Sequence, residues 1–268
     1  MDTEPPARPE AQVEDAFDRI VEEGTDRLQR PTLALISTGL LGGIDIGTGV
    51  LAYLVVQHLT HNLLLASLAF SVGFVALLLA RSELFTENFL VPVTTVIAAK
   101  AGWLQLARLW SFTLVTNLVG GWVITGLIVV GRPDLRATAI EAGTHYAELG
   151  INGASFALAV LAGAVITLMT RMQHATDRLG VQLVPAILFG ALLAAGQLFH
   201  CVLDSLLMFA ALWAGAPFGY ADWLGALAWS ALGNVVGGTL LVTSIRLLRV
   251  PHLVAQSRQE ADRVAKDS

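Results

Sequence analysis

The stretch LVPAILFGALLAAGQLFHCVLDSLLMFAALWA, Leu183 to Ala214, decides the fold. Its only formal charge is Asp204, and as one unbroken helix its 32 residues would reach roughly 48 Å, well beyond a hydrocarbon layer of about 30 Å. It is therefore read as a membrane span that must be interrupted, with His200 and Asp204 inside it. Five further apolar stretches surround it: Leu33 to Gln57, Leu63 to Ala80, Leu104 to Val130, Ala154 to Met172 and Trp223 to Leu248. Each is long enough to cross a bilayer. The second continues past Arg81, Glu83 and Glu87 into another apolar run, Phe89 to Ala99, so spans two and five are both expected to be broken helices.

Composition agrees with a polytopic membrane protein. Of the 268 residues 55% are hydrophobic and 14% charged, with a mean hydropathy of +0.67, whereas a soluble chain carries about a quarter charged residues. One cysteine, Cys201, rules out an intrachain disulfide, and no metal-ligand spacing appears. No cofactor is expected. The net charge of −5 is a local property, since nine of the 21 acids lie in the first 30 residues. Val13, Phe17, Ile20 and Val21 recur there at helical spacing, giving an acidic amphipathic segment over residues 1–30, ahead of a membrane domain over 31–250 and a tail over 251–268. No basic cluster with interleaved aromatics suggests nucleic acid.

Thirteen Lys and Arg fall on the side that holds both ends of the chain, against Arg132 and Arg136 on the other. The positive-inside rule then places both termini in the cytoplasm, which suits six spans. A repeat supports the count: Asn117-Leu118-Val119-Gly120-Gly121 returns as Asn234-Val235-Val236-Gly237-Gly238, 117 residues later. That offset lays Glu83 on His200 and Glu87 on Asp204. Three spans per half is odd, so the halves are inverted, and inverted repeats with broken helices are a transporter or channel architecture. Gly120, Gly121, Gly237 and Gly238 are read as close helix contacts. Asn117 and Asn234 hydrogen-bond either across those contacts or to the irregular backbone of the breaks.

His200 is the leading functional candidate, because an imidazole inside a span exchanges a proton near physiological pH when an anion approaches. Asp204, one turn on, either orients the imidazole or holds its proton. Phe70, Phe74, Leu77 and Arg81 share a helix face, as an apolar constriction with a cation at its mouth or as ordinary core. Asp45 is an ionisable group in span one, either functional or paired structurally with Arg81. No ordered nucleophile, base and acid suggests an enzyme.

At Ser82-Glu83-Leu84-Phe85-Thr86-Glu87-Asn88 and Gly233-Asn234-Val235-Val236-Gly237-Gly238-Thr239 the chain closely resembles the formate/nitrite transporter family, with Phe70-Ser71-Val72-Gly73 and Ala195-Gly196 before His200 extending the match over nearly the whole membrane region. The resemblance implies an aquaporin-like six-helix protomer in a homopentamer, with one pore per subunit passing small monovalent anions such as formate, nitrite or hydrosulfide. It also implies that His200 is the central histidine and proton donor, that Thr86 faces it, that Phe70 with Leu192 or Leu193 forms an outer constriction, and that Phe74, Leu84 and Phe85 form an inner one. The chain departs from the family at Leu161-Ala162-Gly163, Phe199, Asp204, Arg81 and Asp45, and offers His145, Tyr146 and Glu148 where many members have an entrance lysine. These changes resemble the YfdC-type branch. Two other readings stand beside anion transport: a passive pore for a small neutral solute, and a membrane scaffold or sensor acting through the acidic N-terminal helix.

Overall fold

The structure, a computed structural model, describes residues 9–267, and every regular element among them is helical. In chain order these are α1 (Pro9–Gln29), α2 (Thr32–Thr60), α3 (Leu63–Ala80), α4 (Val91–Ile97), α5 (Trp103–Gly131), α6 (Arg136–Glu148), α7 (Gly153–Gln173), α8 (Leu179–Ala195), α9 (Cys201–Ala214), α10 (Tyr220–Val235), α11 (Ile245–Leu247) and α12 (Pro251–Asp267). Short 3-10 turns lie at Phe85–Phe89 and Pro133–Leu135, and a π-helical segment, Val236–Ser244, joins α10 to α11.

Five described helices are long and apolar enough to cross a membrane: α2, α3, α5, α7 and the run Tyr220–Leu247. Leu183 to Ala214 is not one helix. It divides between α8 and α9, each too short by itself to be counted among those five. Leu64, Leu68, Leu104, Leu127, Leu188 and Leu248 stand largely exposed, which a chain in water would not tolerate over so wide an area. Inside, α2 packs on α3 and α5, α3 on α8, α7 on α10, and α9 on α5 and α6.

The helix ends follow from local chemistry. Asn62 opens α3 by accepting from Leu65 N–H, and Asn152 opens α7 by accepting from the N–H groups of Ala154 and Ser155. Two interruptions share one backbone pattern. After α3, Arg81 turns left-handed (φ 54°) while Ser82 N–H returns to the Leu77 carbonyl at 3.1 Å. After α8, Gln197 does the same (φ 45°) and Leu198 N–H returns to Leu193 at 3.2 Å. Leu84 and His200 then adopt extended backbone, with φ of −108° and −103°, immediately before the next helical turn.

These equivalences run at an offset of 116, so they correct the sequence alignment of the breaks by one residue. Glu83 corresponds to Phe199, and Leu84 to His200. The reason is one additional residue between break and asparagine in the second half: Phe85 to Asn117 spans 32 positions and Cys201 to Asn234 spans 33.

Two elements escaped the sequence reading. The connection between α5 and α7 holds helix α6, which buries Thr138, Ala139, Gly143 and Tyr146 against α9. Their i, i+4, i+7 spacing was the available signal. The last span widens into a π-helix at Gly237 and Gly238, where the hydroxyls of Thr243 and Ser244 reach carbonyls five residues back.

Candidate functional site

The two breaks are held by two asparagines. Asn117 Oδ1 accepts from Phe85 N–H at 2.8 Å, and its Nδ2 donates to the Glu83 and Gly39 carbonyls at 2.8 Å each. Asn234 Oδ1 accepts from Cys201 N–H at 2.9 Å, and its Nδ2 donates to Phe199 at 2.9 Å and Ala159 at 2.8 Å. Both sequence alternatives for these amides are thus realised at once, since each serves an irregular backbone and a helix contact. Glycines let the helices approach: a Cβ on Gly120 would overlap the Leu40 carbonyl, and one on Gly237 the Val160 carbonyl.

The break after α8 leaves His200 as the residue that caps α9. Its Nδ1 accepts from Leu203 N–H at 3.0 Å, and its Nε2 lies 2.9 Å from Thr86 Oγ1 in the 3-10 turn of the other break. A backbone N–H only donates, so Nδ1 must present its lone pair. The neutral ring therefore carries its proton on Nε2 and donates it to Thr86, leaving the Thr86 hydroxyl proton without a protein acceptor among the described residues. His200 is 1% exposed and Thr86 0%.

The apolar candidates Phe70, Phe74, Leu84, Phe85 and Leu193 belong to one core cluster. Phe70 and Phe74 meet edge to face at 5.8 Å between centroids, and Gly190 of α8 makes room for the Phe74 ring. Phe85 packs edge to face on Phe89 at 5.1 Å. Leu192 does not join them: at 49% exposed it faces outward from α8, so of the two leucines only Leu193 is buried with Phe70.

Several charged candidates lie elsewhere than the sequence suggested. Asp204 does not touch the imidazole of His200. Its Oδ2 accepts from the His200 main-chain N–H at 2.7 Å, reciprocating the cap that the ring makes on Leu203, while Oδ1 is buried without a partner. Arg81 lies past the end of α3 with an exposed side chain, because the left-handed turn there takes it off the Phe70–Leu77 face. Among the described residues it makes no ion pair, and Asp45 likewise has none, with Oδ2 buried and unpartnered.

Glu83 turns away from the centre. It pairs with Arg30, which follows α1, and lies 3.9 Å from Arg27 Nη1, while Arg27 also donates to Asn88 Oδ1 at 3.2 Å. The N-terminal helix is thereby fixed to the first break. Glu23 completes the attachment, bonded by Arg27 and placed 2.8 Å from Nε2 of His174, which follows α7. Burial raises the Glu23 carboxyl, but the His174 hydrogen bond and the Arg27 charge more than offset it and hold it at about 2. Apolar residues reinforce this seat, as Phe17 packs with Ala98, Leu247 and Val250. Between α1 and the break lies a cavity of about 730 Å³ walled by Arg27, Arg30, Arg81, Glu83, Glu87 and His174. Sequence spacing gave no sign of the Arg30–Glu83 pair, whose members are 53 residues apart.

Comparison with known proteins gives this arrangement its relatives. A protein-family model described as formate/nitrite transporter matches residues 14–248. The inner membrane protein YfdC of Escherichia coli strain K12 is 26% identical over 92% of this chain and 83% of its own length. The uncharacterized transporter YrhG of Bacillus subtilis strain 168 is 24% identical over 91% of this chain and 95% of its own. Among solved structures, an FNT family ion channel superposes with a TM-score of 0.78 at 17% identity, covering 89% of this chain and 100% of that one. A pentameric formate channel with formate bound gives 0.68 at 21% identity, covering 81% and 96%.

Proposed function

This chain belongs to the formate/nitrite transporter family, a family of membrane transport proteins and not of enzymes, and from that premise we propose that it passes a small monovalent anion together with a proton. The formate, nitrite or hydrosulfide class fits best, with protons and the bilayer as its other partners. The observation that carries the reading is the contact of His200 with Thr86, one residue from each break, both fully buried.

The chemistry follows from solvation. A bare monovalent anion among Phe70, Phe74, Leu84, Phe85 and Leu193 would lose its water for nothing comparable, whereas its conjugate acid loses little. At the centre, Nε2–H of His200 engages Thr86 and directs the Thr86 hydroxyl proton toward a passing solute. That supplies a hydrogen-bond donor without a fixed cation, so the anion crosses only with a proton. The proton comes from water in the vestibule or from His200 as imidazolium. The second route requires Nδ1 to release Leu203 N–H, a cap worth about 1 kcal/mol, which is small beside the desolvation of an ion.

The architecture we propose has six spans, α8 with α9 forming the fifth, arranged as two inverted three-span halves in an aquaporin-like protomer. The matching breaks and asparagines support it. The protomers form a homopentamer, by analogy with the pentameric formate channel whose fold this chain shares. Both termini face the cytoplasm of an inner membrane, as the lysine and arginine distribution favours. Residues 1–30 and 251–268 flank the channel there. Asp204 acts as a positioning residue through the His200 main chain, and Glu83 and Arg81 line the inner vestibule.

Proteoliposomes holding the full chain test this. Formate, nitrite or hydrosulfide gradients should acidify or alkalinise the interior with flux that grows from pH 8 to pH 5, and Thr86→Val should remove it. A neutral-solute pore is the second reading, favoured by the unpartnered buried carboxylate oxygens of Asp45 and Asp204, which disfavour an anion. It predicts swelling that is indifferent to pH and survives His200→Ala.

A further inference from the structure

A second cavity, of about 450 Å³, lies on the face that carries α1 and shares Arg19 and His174 with the first. Arg171 in the last turn of α7, Arg246 on α11 and Arg249 just after it converge on this space, with Arg19, Val13 and Phe17 of α1 forming the opposite wall. Arg246 and Arg249 are three apart, so they share one side of their turn and repel each other and Arg171. Among the described residues none of these three has a carboxylate within 4.0 Å. Arg19 is engaged by Asp177 at 3.8 Å, and His174, which also reaches the cavity, is held by Glu23 and the Thr170 carbonyl. Among the described residues Asp15 is the one acid in the lining, and it pairs with none of the arginines.

A surplus of arginine on one side of a membrane is ordinary. It does not explain why three guanidiniums from two separate segments line one hollow with no ion pair to any of them among the described residues. Their planar donor forks match a phosphate group, which takes two parallel hydrogen bonds from each. Beside the hollow Met172, Ile245 and Leu248 are exposed at 46%, 58% and 76%, giving an apolar flank where acyl chains would lie. We propose that Arg171, Arg246 and Arg249 form a binding site for a phosphate group, supplied by an anionic phospholipid headgroup or by a soluble phosphate. Its occupant supplies the arginines with an ion partner and touches α1, α7 and the end of the last span together. This site does not depend on the transported solute or on the orientation of the chain.

Native mass spectrometry of the full-length protein in neutral detergent decides it, with short-chain phosphatidylglycerol, short-chain phosphatidylcholine and inorganic phosphate as probes. Wild type and an Arg136→Gln control should retain phosphatidylglycerol over phosphatidylcholine, and Arg246→Gln/Arg249→Gln should need about tenfold more lipid for the same occupancy. Retention of inorganic phosphate instead, lost in the same double variant, assigns the soluble source. Equal binding of every probe by wild type and the double variant overturns the proposal. Melting temperatures without ligand identify a misfolded variant, in which case the single Arg171→Gln exchange is scored by the same criterion.

Discussion

Asn117 and Asn234 make the same three hydrogen bonds in the two halves of the molecule, each joining a break to a neighbouring helix. Replacing either with Ala strands one carbonyl and one N–H of the break, and takes the second bond from a helix carbonyl that keeps its own helical partner. At about 1 to 3 kcal/mol for each unsatisfied group, the loss is about 2 to 6 kcal/mol. Asn234→Ala and Asn117→Ala should therefore each lower the melting temperature of the detergent-solubilised protein by several degrees. A change of less than a degree in both would mean that the breaks are held by something else.

His200 has a structural and a chemical duty that substitutions separate. His200→Asn keeps an oxygen able to accept from Leu203 N–H and so keeps the cap on α9, while His200→Ala forfeits about 1 kcal/mol. Both should abolish proton-linked flux, with only the alanine variant melting lower. Thr86→Ser should retain flux where Thr86→Val does not. Transport surviving in His200→Asn would remove the imidazole from the mechanism.

The seat of α1 should respond to acid. Glu23 is held at about 2 in the folded chain against a usual 4.5, so the contribution of its bonds to Arg27 and His174 is complete above pH 4.5 and fades as pH falls toward 2. Hydrogen exchange of α1 is expected to quicken across that window in wild type. In Glu23→Gln it should already be fast at pH 6 and lose that dependence; identical protection in both proteins would show that α1 is seated without this carboxylate.

Gly237 tests the close helix contact. A methyl group there meets the Val160 carbonyl, a backbone atom that cannot swing aside, so Gly237→Ala should cost about 1 to 3 kcal/mol. Gly180→Ala, with nothing within 4 Å, serves as control and should melt like wild type. Equal melting of the two variants would contradict the packing described.

What the residues disclosed by themselves is the part governed by the bilayer. Apolar runs of sufficient length, interrupted at polar positions, leave few choices when every backbone group in lipid needs a partner within the protein. The apolar runs, both interruptions and the equivalence of Asn117 and Asn234 were readable for that reason. Partners far apart in the chain were not readable. His200 meets Thr86 across 114 positions, Glu83 finds Arg30 on the N-terminal helix, and Asp204 serves a main-chain N–H although its spacing suited the imidazole. The sequence also left Leu192 and Leu193 equivalent, and only the rotation of α8 separates the exposed from the buried one. Hydrophobic length is a local property that lipid reads directly. Which polar group meets which is fixed by the path of the backbone through each break, where one left-handed residue redirects everything after it.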